Sequence, residues 1–591
     1  MSMIAKKLAL LLMMIPVVLH VCAQDSLPVI RVNQVAFDSK APKMAVIESG
    51  YVLPSSLRFD LLDEDGKVIP GSALKGTDRV DIWYPLKYVY LANFSTVDRP
   101  GSYRIRLTWA SREVLSDPFI IGDNALGGIT IPSILHYYRK QRANTPIEWA
   151  TDEHIPLFGS SQTVDIRGGW CDASGDVSKY FSHLAYANFM SPQQTPLVTW
   201  SLASARESIP RLLRRLDVLD SITDEALWGA DYLLRALSPQ GYFYMIVFSY
   251  FNKDPSARRV VGLLANSVTT SDYPCAFREG GGMAIAALAR ISRWKQHGVF
   301  TSAQYLAGAE RAFAHLMVHN KEYDDDHKEN VIDDYCALMA ATELWLATDS
   351  AVYRDEARRR AASLEGRLSP EGYFIADGAS RPFWHASDAG LPVVALARYL
   401  RAENDPARRT SALSVIRASV GYTLRVTSDV SNPYGYARQT FRYRDSIREG
   451  FFIPHENETG WWWQGEDARL ASLATAVLVG GRLAGGGLVA DSAAVFAQRQ
   501  LNWILGGNPY GVCFMYGFGR LNVPYMHSNF GHGSERGGVS NGITGAGPDG
   551  SGIVYKTEDN GNEWRWTEQW IPHAAWFLQA IAAMEDEGQG P

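Results

Sequence analysis

The chain has 591 residues, of which 46% are hydrophobic and 20% charged, so it is long enough for two or more globular units with an ordinary core. The formal charge of −6 and the pI near 6.1 argue against nucleic acid as a partner, because nucleic-acid-binding proteins usually present a basic surface. With 17 Trp and 28 Tyr, the chain is rich in side chains that suit sugar rings as well as protein cores.

Residues 1–23 predict a signal peptide. Lysines precede an apolar run over 8–21, and small residues around Ala23 offer a cleavage site. We therefore expect an exported protein, either periplasmic or secreted. Lipidation of Cys22 is the less favoured alternative, since Val21 is a poor residue before a lipidated cysteine. No later stretch reaches the roughly 18 uninterrupted apolar residues of a transmembrane helix, so no transmembrane segment is expected.

Residues 24–122 predict a small β-sandwich. The runs are short and alternating, with turn signals between them, and this pattern is typical of an immunoglobulin-like domain. The clearest candidate strands lie at 30–32, 44–47, 57–61 and 103–107. Such modules are common spacers, so we expect no chemistry in this part of the chain.

Residues 123–591 predict a mainly α catalytic domain. Candidate helices rich in Ala and Leu lie at 227–237, 281–292, 334–348, 390–400, 466–478 and 574–584. The first four begin about fifty residues apart, the space that two helices and their connections occupy. Helices that are apolar around most of their circumference are buried. A ring of helical hairpins, an (α/α)6 toroid, is therefore the expected fold, with polar and aromatic loops around the mouth of its funnel.

A first candidate site is the run Gly168-Gly169-Trp170-Cys171-Asp172-Ala173-Ser174-Gly175-Asp176. Asp172 and Asp176 lie four residues apart among small residues, so both carboxylates have room to face one space. Hydrolysis needs an ionised carboxylate to take a proton from water and a second acceptor to orient the water. Helix capping accounts for one aspartate but less well for two. Trp170 beside them is a candidate sugar contact.

A second candidate site lies near the C-terminus, in Trp564-Arg565-Trp566-Thr567-Glu568-Gln569-Trp570. A carboxyl between tryptophans is desolvated, which favours the protonated form that a general acid needs. Capping of a helix start is the alternative role for Glu568. Upstream, a glycine-rich loop carries His527, His532 and Arg536, which suit sugar hydroxyls better than packing. Metal ligands more usually share a helix face or a tight knuckle, so no metal is predicted.

Three polar and aromatic segments at predicted helix starts supply further candidate sugar contacts, with capping and packing as the alternative. These residues are Arg278, Trp384, His385, Trp461 and Trp462. No cofactor is expected. The acidic run 323–329 offers carboxylates to a structural calcium ion, but it lacks the spacing and glycine of a calcium loop and is more often a solvated turn.

Together these motifs resemble glycoside hydrolase family nine, the cellulase family with an (α/α)6 toroid behind an immunoglobulin-like module. The likeness covers nearly the whole chain after the signal peptide. Five stretches carry it, in the family's order: Ile30-Arg31-Val32-Asn33-Gln34-Val35; Gly169-Trp170-Cys171-Asp172-Ala173-Ser174-Gly175-Asp176, similar to Gly-Trp-Tyr-Asp-Ala-Gly-Asp; Trp228-Gly229-Ala230-Asp231-Tyr232-Leu233-Leu234; Leu505-Gly506-Gly507-Asn508-Pro509 with Gly517-Phe518-Gly519; and Glu568-Gln569-Trp570-Ile571, where the family has Asn-Glu-x-x-Ile.

The resemblance implies an inverting glycoside hydrolase that acts on β-linked glucan-type or related oligo- and polysaccharides. It implies that Asp176 is the general base, that Asp172 helps to hold the water and that Glu568 is the general acid. The chain departs from the family at three places: Ser174-Gly175 adds one residue between the aspartates, Pro524-Tyr525-Met526-His527 replaces a Pro-His-His-Arg substrate grip, and Thr567 stands where Asn usually precedes the acid. The sugar need therefore not be glucose in cellulose, and endo or exo action stays open.

Two other functions are compatible with a helical toroid. A polysaccharide lyase would use Tyr, His or Arg, for which Tyr335, His385 and His527 are candidates, but a lyase has no need of an Asp pair and a distant Glu. A catalytically silent carbohydrate-binding protein would keep the funnel without turnover. The retained carboxylates argue against it, whereas the extra residue between Asp172 and Asp176 favours it.

Overall fold

The computed structural model describes residues 27–76, 88–109, 111–183, 190–250, 254–264, 267–378, 380–457, 464–485, 488–528 and 531–586. The predicted signal peptide and two predicted sugar contacts, Trp461 and Trp462, lie outside the described residues. Among the helices that are described, none combines the length and apolar character needed to cross a membrane.

The N-terminal module is a sandwich of two sheets that contain all four predicted strands. One sheet has the strand order β1 Val29–Arg31, β3 Met44–Ser49, β7 Tyr88–Asn93, β6 Lys75–Gly76. The other has the order β2 Ala36–Asp38, β10 Phe119–Gly122, β8 Gly101–Trp109, β4 Arg58–Asp63, β5 Val68–Ala73, with β9 Arg112–Leu115 paired to β8. Phe37, Phe94 and Phe119 pack between the sheets with ring centroids 5.3–5.4 Å apart.

The rest of the described chain is mainly helical, with short strands between the helices. The helices are α1 Ala125–Gln141, α2 Pro146–Glu153, α3 Thr195–Ser208, α4 Pro210–Arg215, α5 Leu219–Arg235, α6 Gly282–Ile291, α7 Ser302–Tyr323, α8 Val331–Thr348, α9 Ala351–Gly366, α10 Leu391–Tyr399, α11 Pro406–Ser428, α12 Asp467–Leu483, α13 Leu488–Ile504, α14 Trp564–Thr567 and α15 Ile571–Met584. The strands are β11 Ile155–Pro156, β12 Thr163–Val164, β13 Lys179–Tyr180, β14 Ile246–Phe248, β15 Arg259–Leu264, β16 Val268–Thr270, β17 Gln439–Tyr443 and β18 Ser446–Gly450.

Six of these helices form a closed inner ring. In order, α3, α6, α8, α10, α12 and α15 each pack against the next, and α15 packs against α3. Helices α5, α7, α9, α11 and α13 lie outside them and pack against the ring. Every residue of α6 and nearly every residue of α15 is buried, as expected for a helix with neighbours on all sides. The predicted (α/α)6 toroid is confirmed.

The sequence pattern identified five of the six inner helices. The segment 227–237, predicted as one of the buried series, is the C-terminal part of the outer helix α5. The inner helix that the pattern missed is α3, whose buried residues include several Thr and Ser. Two of its hydroxyls bond to the helix's own carbonyls: Thr199 Oγ1 donates to the Thr195 carbonyl and Ser208 Oγ to the Ser204 carbonyl, both at 2.9 Å. Hydrophobic periodicity does not detect a buried helix in which several buried positions are Thr or Ser.

The N-terminal module is fixed to the toroid through Gln34. Its backbone N–H donates to the Leu505 carbonyl at 2.9 Å, and its side chain bonds to the Gly511 carbonyl and the Arg520 N–H, both at 2.8 Å. Gly506, at φ +104°, makes room for this side chain, because a Cβ at Gly506 would lie 2.5 Å from Gln34 Nε2. Two of the motifs that carry the family resemblance therefore meet at this interface.

A buried hydrogen bond crosses the same interface and generates a prediction. Tyr434 donates its hydroxyl to Glu48 Oε1 at 2.7 Å, and the Glu48 side chain is 4% exposed. Replacing Tyr434 by Phe removes a donor to a buried carboxylate, so we expect the free energy of unfolding to fall by about 1–3 kcal/mol. Chemical denaturation measures this change.

The matched control is Tyr51→Phe in the same module. The Tyr51 ring stacks on Trp109 at 5.6 Å, within the module, so this variant should keep wild-type stability. Equal loss of stability in the two variants would contradict the role assigned to the interface bond.

Candidate active site

A cavity of about 690 Å³ collects the three predicted catalytic carboxylates. The described residues that line it are Asp172, Gly175, Asp176, His183, Gln464, Pro524, Tyr525, Met526, His527, Asn541, Thr557, Gly561, Glu563, Trp564, Thr567, Glu568 and Trp570. The wall contains both polar groups and aromatic rings. This composition suits a polar ligand with apolar faces.

Closure of the helix ring brings the two candidate motifs together. The Asp172–Asp176 loop precedes α3, the first inner helix, and Glu568 precedes α15, the last one. Because α15 packs against α3, segments almost 400 residues apart in the chain become neighbours. The predicted pairing of an early Asp motif with a late Glu follows from this topology.

Hydrogen bonds from backbone N–H groups join the two motifs directly. Ser174 N–H donates to the Gln569 carbonyl at 2.8 Å, and Gln569 N–H donates to Ser174 Oγ at 2.9 Å. Ile571 N–H also donates to the Asp172 carbonyl at 3.1 Å. Ser174 belongs to the stretch Ser174-Gly175 that adds one residue between the aspartates, so the departure from the family motif lies at the contact between the Asp172–Asp176 loop and the segment of Glu568.

Asp172 is buried, with 3% of its surface exposed. Its Oδ1 accepts hydrogen bonds from the Gln194 side-chain amide and, at 3.0 Å, from the Trp570 indole N–H. Its Oδ2 lies 3.7 Å from Nδ1 of His183. Burial raises the pKa of Asp172 to about 6, although His183 and Trp570 favour its ionised form. Asp172 is therefore held in one orientation with a single oxygen left for the cavity.

Asp176 and Glu568 are more accessible than Asp172. Asp176 Oδ1 accepts the Ser178 N–H at 2.9 Å, and the backbone of Glu568 is fixed by a bond from the Asn541 N–H to its carbonyl at 2.9 Å. Burial raises the pKa of Tyr180 well above its ordinary value, and the charges of Asp176, Asp172 and Glu568 raise it further. The three carboxylates therefore act together on the pKa of one buried phenol.

A network of buried charges lies behind the catalytic loop. Arg258 contacts Glu148 and Asp152, each at 2.9 Å, and Lys179 contacts Asp152 at 2.8 Å. All four side chains are fully buried. Burying unpaired charges would be costly, whereas these are paired and hydrogen-bonded. The network fixes β13, which follows directly after Asp176.

His532 completes this network as a cation. Its Nδ1 lies 3.1 Å from the Lys140 carbonyl and its Nε2 lies 2.8 Å from Glu148 Oε1. Since both partners accept hydrogen bonds, both ring nitrogens must carry protons. Burial alone would lower the pKa of His532, but the contacts with Cys171 and Glu148 raise it to about 11. The His532 carbonyl also accepts the Gly175 N–H, at 2.6 Å.

Glu148, Cys171 and His532 are also residue types that bind metals, and their ligand atoms lie within 4.8 Å of one another. A metal would need a nitrogen lone pair from His532, yet both ring nitrogens face acceptors. Arg258 Nη2 also lies 2.9 Å from Glu148 and 3.6 Å from the Cys171 sulfur. The donor set therefore fits a salt-bridge network better than a metal.

Several predicted sugar contacts need correction because they lie in the core. Trp170 is fully buried and donates its indole N–H to Glu225 at 3.2 Å. Trp384 is fully buried and packs with Trp570. His385 is fully buried, its Nδ1 accepts the Asp388 N–H at 2.7 Å, and burial lowers its pKa to about 3. Aromatic residues beside a motif can point inward, and sequence spacing does not distinguish the two directions.

Arg278 and His532 are also corrected as sugar contacts. Arg278 is fully buried and contacts Asp324 at 3.1 Å and Asp325 at 2.6 Å. The acidic run predicted as a calcium-binding alternative thus directs carboxylates at this guanidinium. His532 is 2% exposed and is used in the network described above.

The two remaining candidates of the glycine-rich loop differ in position. His527 is exposed and lines the cavity, where its ring contacts Tyr525 with centroids 4.7 Å apart. Arg536 is exposed but lies over the Phe518 ring at 3.9 Å and bonds to the Gly517 carbonyl at 2.7 Å, so it is not among the cavity residues. The proposed sugar contact is retained for His527 and withdrawn for Arg536.

The sequence analysis missed several residues of the site. His183, Gln194 and Trp570 contact Asp172, and Glu563 and Tyr525 line the cavity. Trp570 lies two residues after Glu568, so its position offered a signal. His183 and Gln194 belong to no recognisable motif, and only their spatial contacts with Asp172 identify them.

Comparisons with known proteins agree with this architecture. A sequence model of the family described as Glycosyl hydrolase family 9 matches residues 130–581, and one described as Cellulase N-terminal ig-like domain matches residues 25–111. A xyloglucan-specific endo-beta-1,4-glucanase of Bacteroides ovatus is 22% identical over 552 residues, which cover 84% of this chain and 82% of that protein. Endoglucanase 21 of Oryza sativa subsp. japonica is 24% identical over 427 residues, covering 66% of this chain and 73% of that protein.

Solved structures share the fold. A metagenome-derived glycoside hydrolase family 9 endoglucanase superimposes with a TM-score of 0.69 at 19% identity, covering 95% of this chain and 99% of that chain. A family 9 protein of Bacteroides ovatus superimposes with a TM-score of 0.63 at 19% identity, covering 94% of this chain and 98% of that chain.

The charge on His532 generates a prediction for stability. Its pKa is raised on folding, so its stabilising contribution is complete below the unfolded value of about 6.5 and is lost as the pH rises through about 11. We expect His532→Gln to lower the melting temperature strongly at pH 6 and much less at pH 10. Thermal unfolding at both pH values measures this difference.

His136→Gln is the matched control, because His136 contacts Glu535 at 3.3 Å with 47% of its side chain exposed. It should leave the melting temperature nearly unchanged at both pH values. A loss in His532→Gln that is the same at pH 6 and pH 10 would show that His532 packs there as a neutral ring.

Proposed function

Because the chain belongs to glycosyl hydrolase family 9, whose members are inverting glycosidases, we propose that Asp176 is its general base, that Asp172 orients the attacking water and that Glu568 is its general acid. The observation that supports this assignment most directly is that all three carboxylates line one cavity. The two hydrogen bonds between Ser174 and Gln569 join the loop of Asp172 and Asp176 to the segment of Glu568.

The proposed reaction is a single displacement. Asp176 takes a proton from a water molecule as its oxygen attacks the anomeric carbon, and Glu568 gives a proton to the departing glycosidic oxygen. An inverting enzyme keeps its two carboxyl groups about 6.5–9.5 Å apart so that the water fits between Asp176 and the sugar. Trp564, which is half-buried on the cavity wall near Glu568, offers a face on which a sugar ring can stack.

The substrate we propose is a β-linked glucan-type chain or a related oligosaccharide. Among the described residues of the cavity wall, the carboxylates are Asp172, Asp176, Glu563 and Glu568, and the basic side chains are two histidines. A wall of this charge disfavours acidic sugars and accepts neutral ones. The names of the relatives, a xyloglucan-specific endo-beta-1,4-glucanase and an endoglucanase, support the same class of substrate.

The catalytic roles are tested by substitutions that remove proton transfer and little else. We expect Asp176→Asn and Glu568→Gln each to lower kcat by about 10²–10⁴-fold, the usual contribution of one general acid or base. Melting temperatures close to that of the wild type show that the fold is intact. Glu535→Gln, a nearby carboxyl outside the described cavity wall, is the control and should stay within about threefold of the wild type.

Two further measurements separate the acid from the base. An aryl glycoside with an acidic phenol as leaving group needs no protonation, so Glu568→Gln should cleave it well while Asp176→Asn does not. Azide needs no general base, so it should restore turnover of that aryl glycoside in Asp176→Ala and form the α-glycosyl azide. The reverse pattern would exchange the two roles.

The stereochemical outcome is a separate prediction. Because one displacement occurs at the anomeric carbon, the α-anomer should appear first from a β-linked substrate. Proton NMR during the first minutes of hydrolysis, on a panel of β-linked glucan and xyloglucan oligosaccharides, measures the anomer and also identifies the preferred sugar. Initial appearance of the β-anomer would contradict the single-displacement reaction.

A further inference from the structure

His183 is a cavity residue that the proposed reaction does not yet use. It follows β13, it lines the cavity beside Asp172, and 30% of its side chain is exposed. Its Nδ1 lies 3.7 Å from Asp172 Oδ2, which is too long for a hydrogen bond but close enough for an ion pair. The ring packs on Tyr180, with centroids 4.4 Å apart.

The two oxygens of Asp172 have different surroundings. Oδ1 is occupied by the Gln194 amide and the Trp570 indole. Oδ2 is the atom close to His183, and it is the oxygen left to accept a hydrogen bond from a water molecule in the cavity. A group that acts on Oδ2 therefore acts on the atom that would orient the water.

The backbone positions His183 and Gln194 as a pair. Ser182 and Gln193 form an isolated β-bridge, and Gln194 N–H donates to the Phe181 carbonyl at 3.1 Å. His183 and Gln194 each follow one of the two bridged residues. The His183 and Gln194 side chains therefore approach Asp172 from two paired backbone segments, and this pairing fixes their positions relative to each other.

Two features of its surroundings favour the protonated form of Asp172. It is buried, and it is close to the Asp176 carboxylate. A protonated Oδ2 would present an O–H donor to the water and would be a much weaker acceptor than a carboxylate oxygen. The titratable groups around His183 are Asp172 and Asp176 of the catalytic loop, Tyr180 of β13, and Glu563, Glu568 and His527 elsewhere on the cavity wall.

We propose that His183 is a positioning residue for the attacking water: its imidazolium keeps Asp172 ionised and holds Oδ2 toward the cavity under mildly acidic conditions. This inference rests on the proposed role of Asp172. His183 transfers no proton in the reaction and does not replace Asp176 as the base. Its effect is to extend activity toward lower pH.

The test is the pH dependence of kcat/KM for the wild type, His183→Gln and His183→Lys. Loss of the charge in His183→Gln should move the acid limb up by about one pH unit, so that kcat/KM falls about tenfold at pH 5 and less than about threefold at pH 7.5. His183→Lys restores a cation and should keep the acid limb near that of the wild type. An acid limb that moves equally in both variants, or in neither, overturns the proposal.

His527→Gln is the matched control, since His527 lines the same cavity without a described contact to Asp172. It should lower kcat/KM by the same factor at every pH and leave the acid limb in place. A shift of the acid limb in His527→Gln as large as that in His183→Gln would show a general effect of cavity charge and would also overturn the proposal. Failure of the role proposed for Asp172 is seen separately, as kcat/KM retained in Asp172→Asn.

Discussion

The catalytic domain depends on the closure of a six-helix ring, and the hydrogen bonds at the point of closure also assemble the site. Helix α15 packs against α3. Ser174 and Gln569, in the segments that precede these two helices, are joined by two hydrogen bonds. A helical ring must bring its first and last members together, so residues that precede those two helices are neighbours whatever their separation in sequence. The proposed base, Asp176, and the proposed acid, Glu568, occupy these two places.

A second requirement is that the loop behind the carboxylates stays rigid. Glu148, Asp152, Lys179, Arg258 and His532 form a paired set of buried charges, and such a set is costly to break because a lone buried charge is left behind. The network contacts the loop at both ends: Lys179 Nζ donates to the Gly168 carbonyl at 2.9 Å, and the Gly175 N–H donates to the His532 carbonyl. Its rigidity supports the fixed orientation that water activation requires.

Sequence reasoning predicted what depends on local pattern and on ordered motifs: the sandwich strands, five inner helices, and Asp172, Asp176 and Glu568 in one cavity. It was wrong where a side chain's direction depends on distant partners. Arg278 is buried because Asp324 and Asp325 reach it from another segment. His183 was missed because its significance appears only through Asp172. Apolar spacing also failed for α3, because several of its buried residues are Thr and Ser.

The departures from the family pattern divide between chemistry and substrate recognition. Ser174 adds a residue between the aspartates, and it bonds to Gln569, the residue after Glu568, so the inserted residue itself joins the segments of the proposed base and the proposed acid. The replaced substrate grip is different: Tyr525, Met526 and His527 line the cavity, and no Lys or Arg is found among its described lining residues. The arginine of the family's Pro-His-His-Arg grip thus has no counterpart among these lining residues. Ser174 Oγ also lies 3.5 Å from the Met526 sulfur, so the inserted residue and the altered grip meet at one contact, and a change in either can affect both the proposed carboxylates and the sugar site.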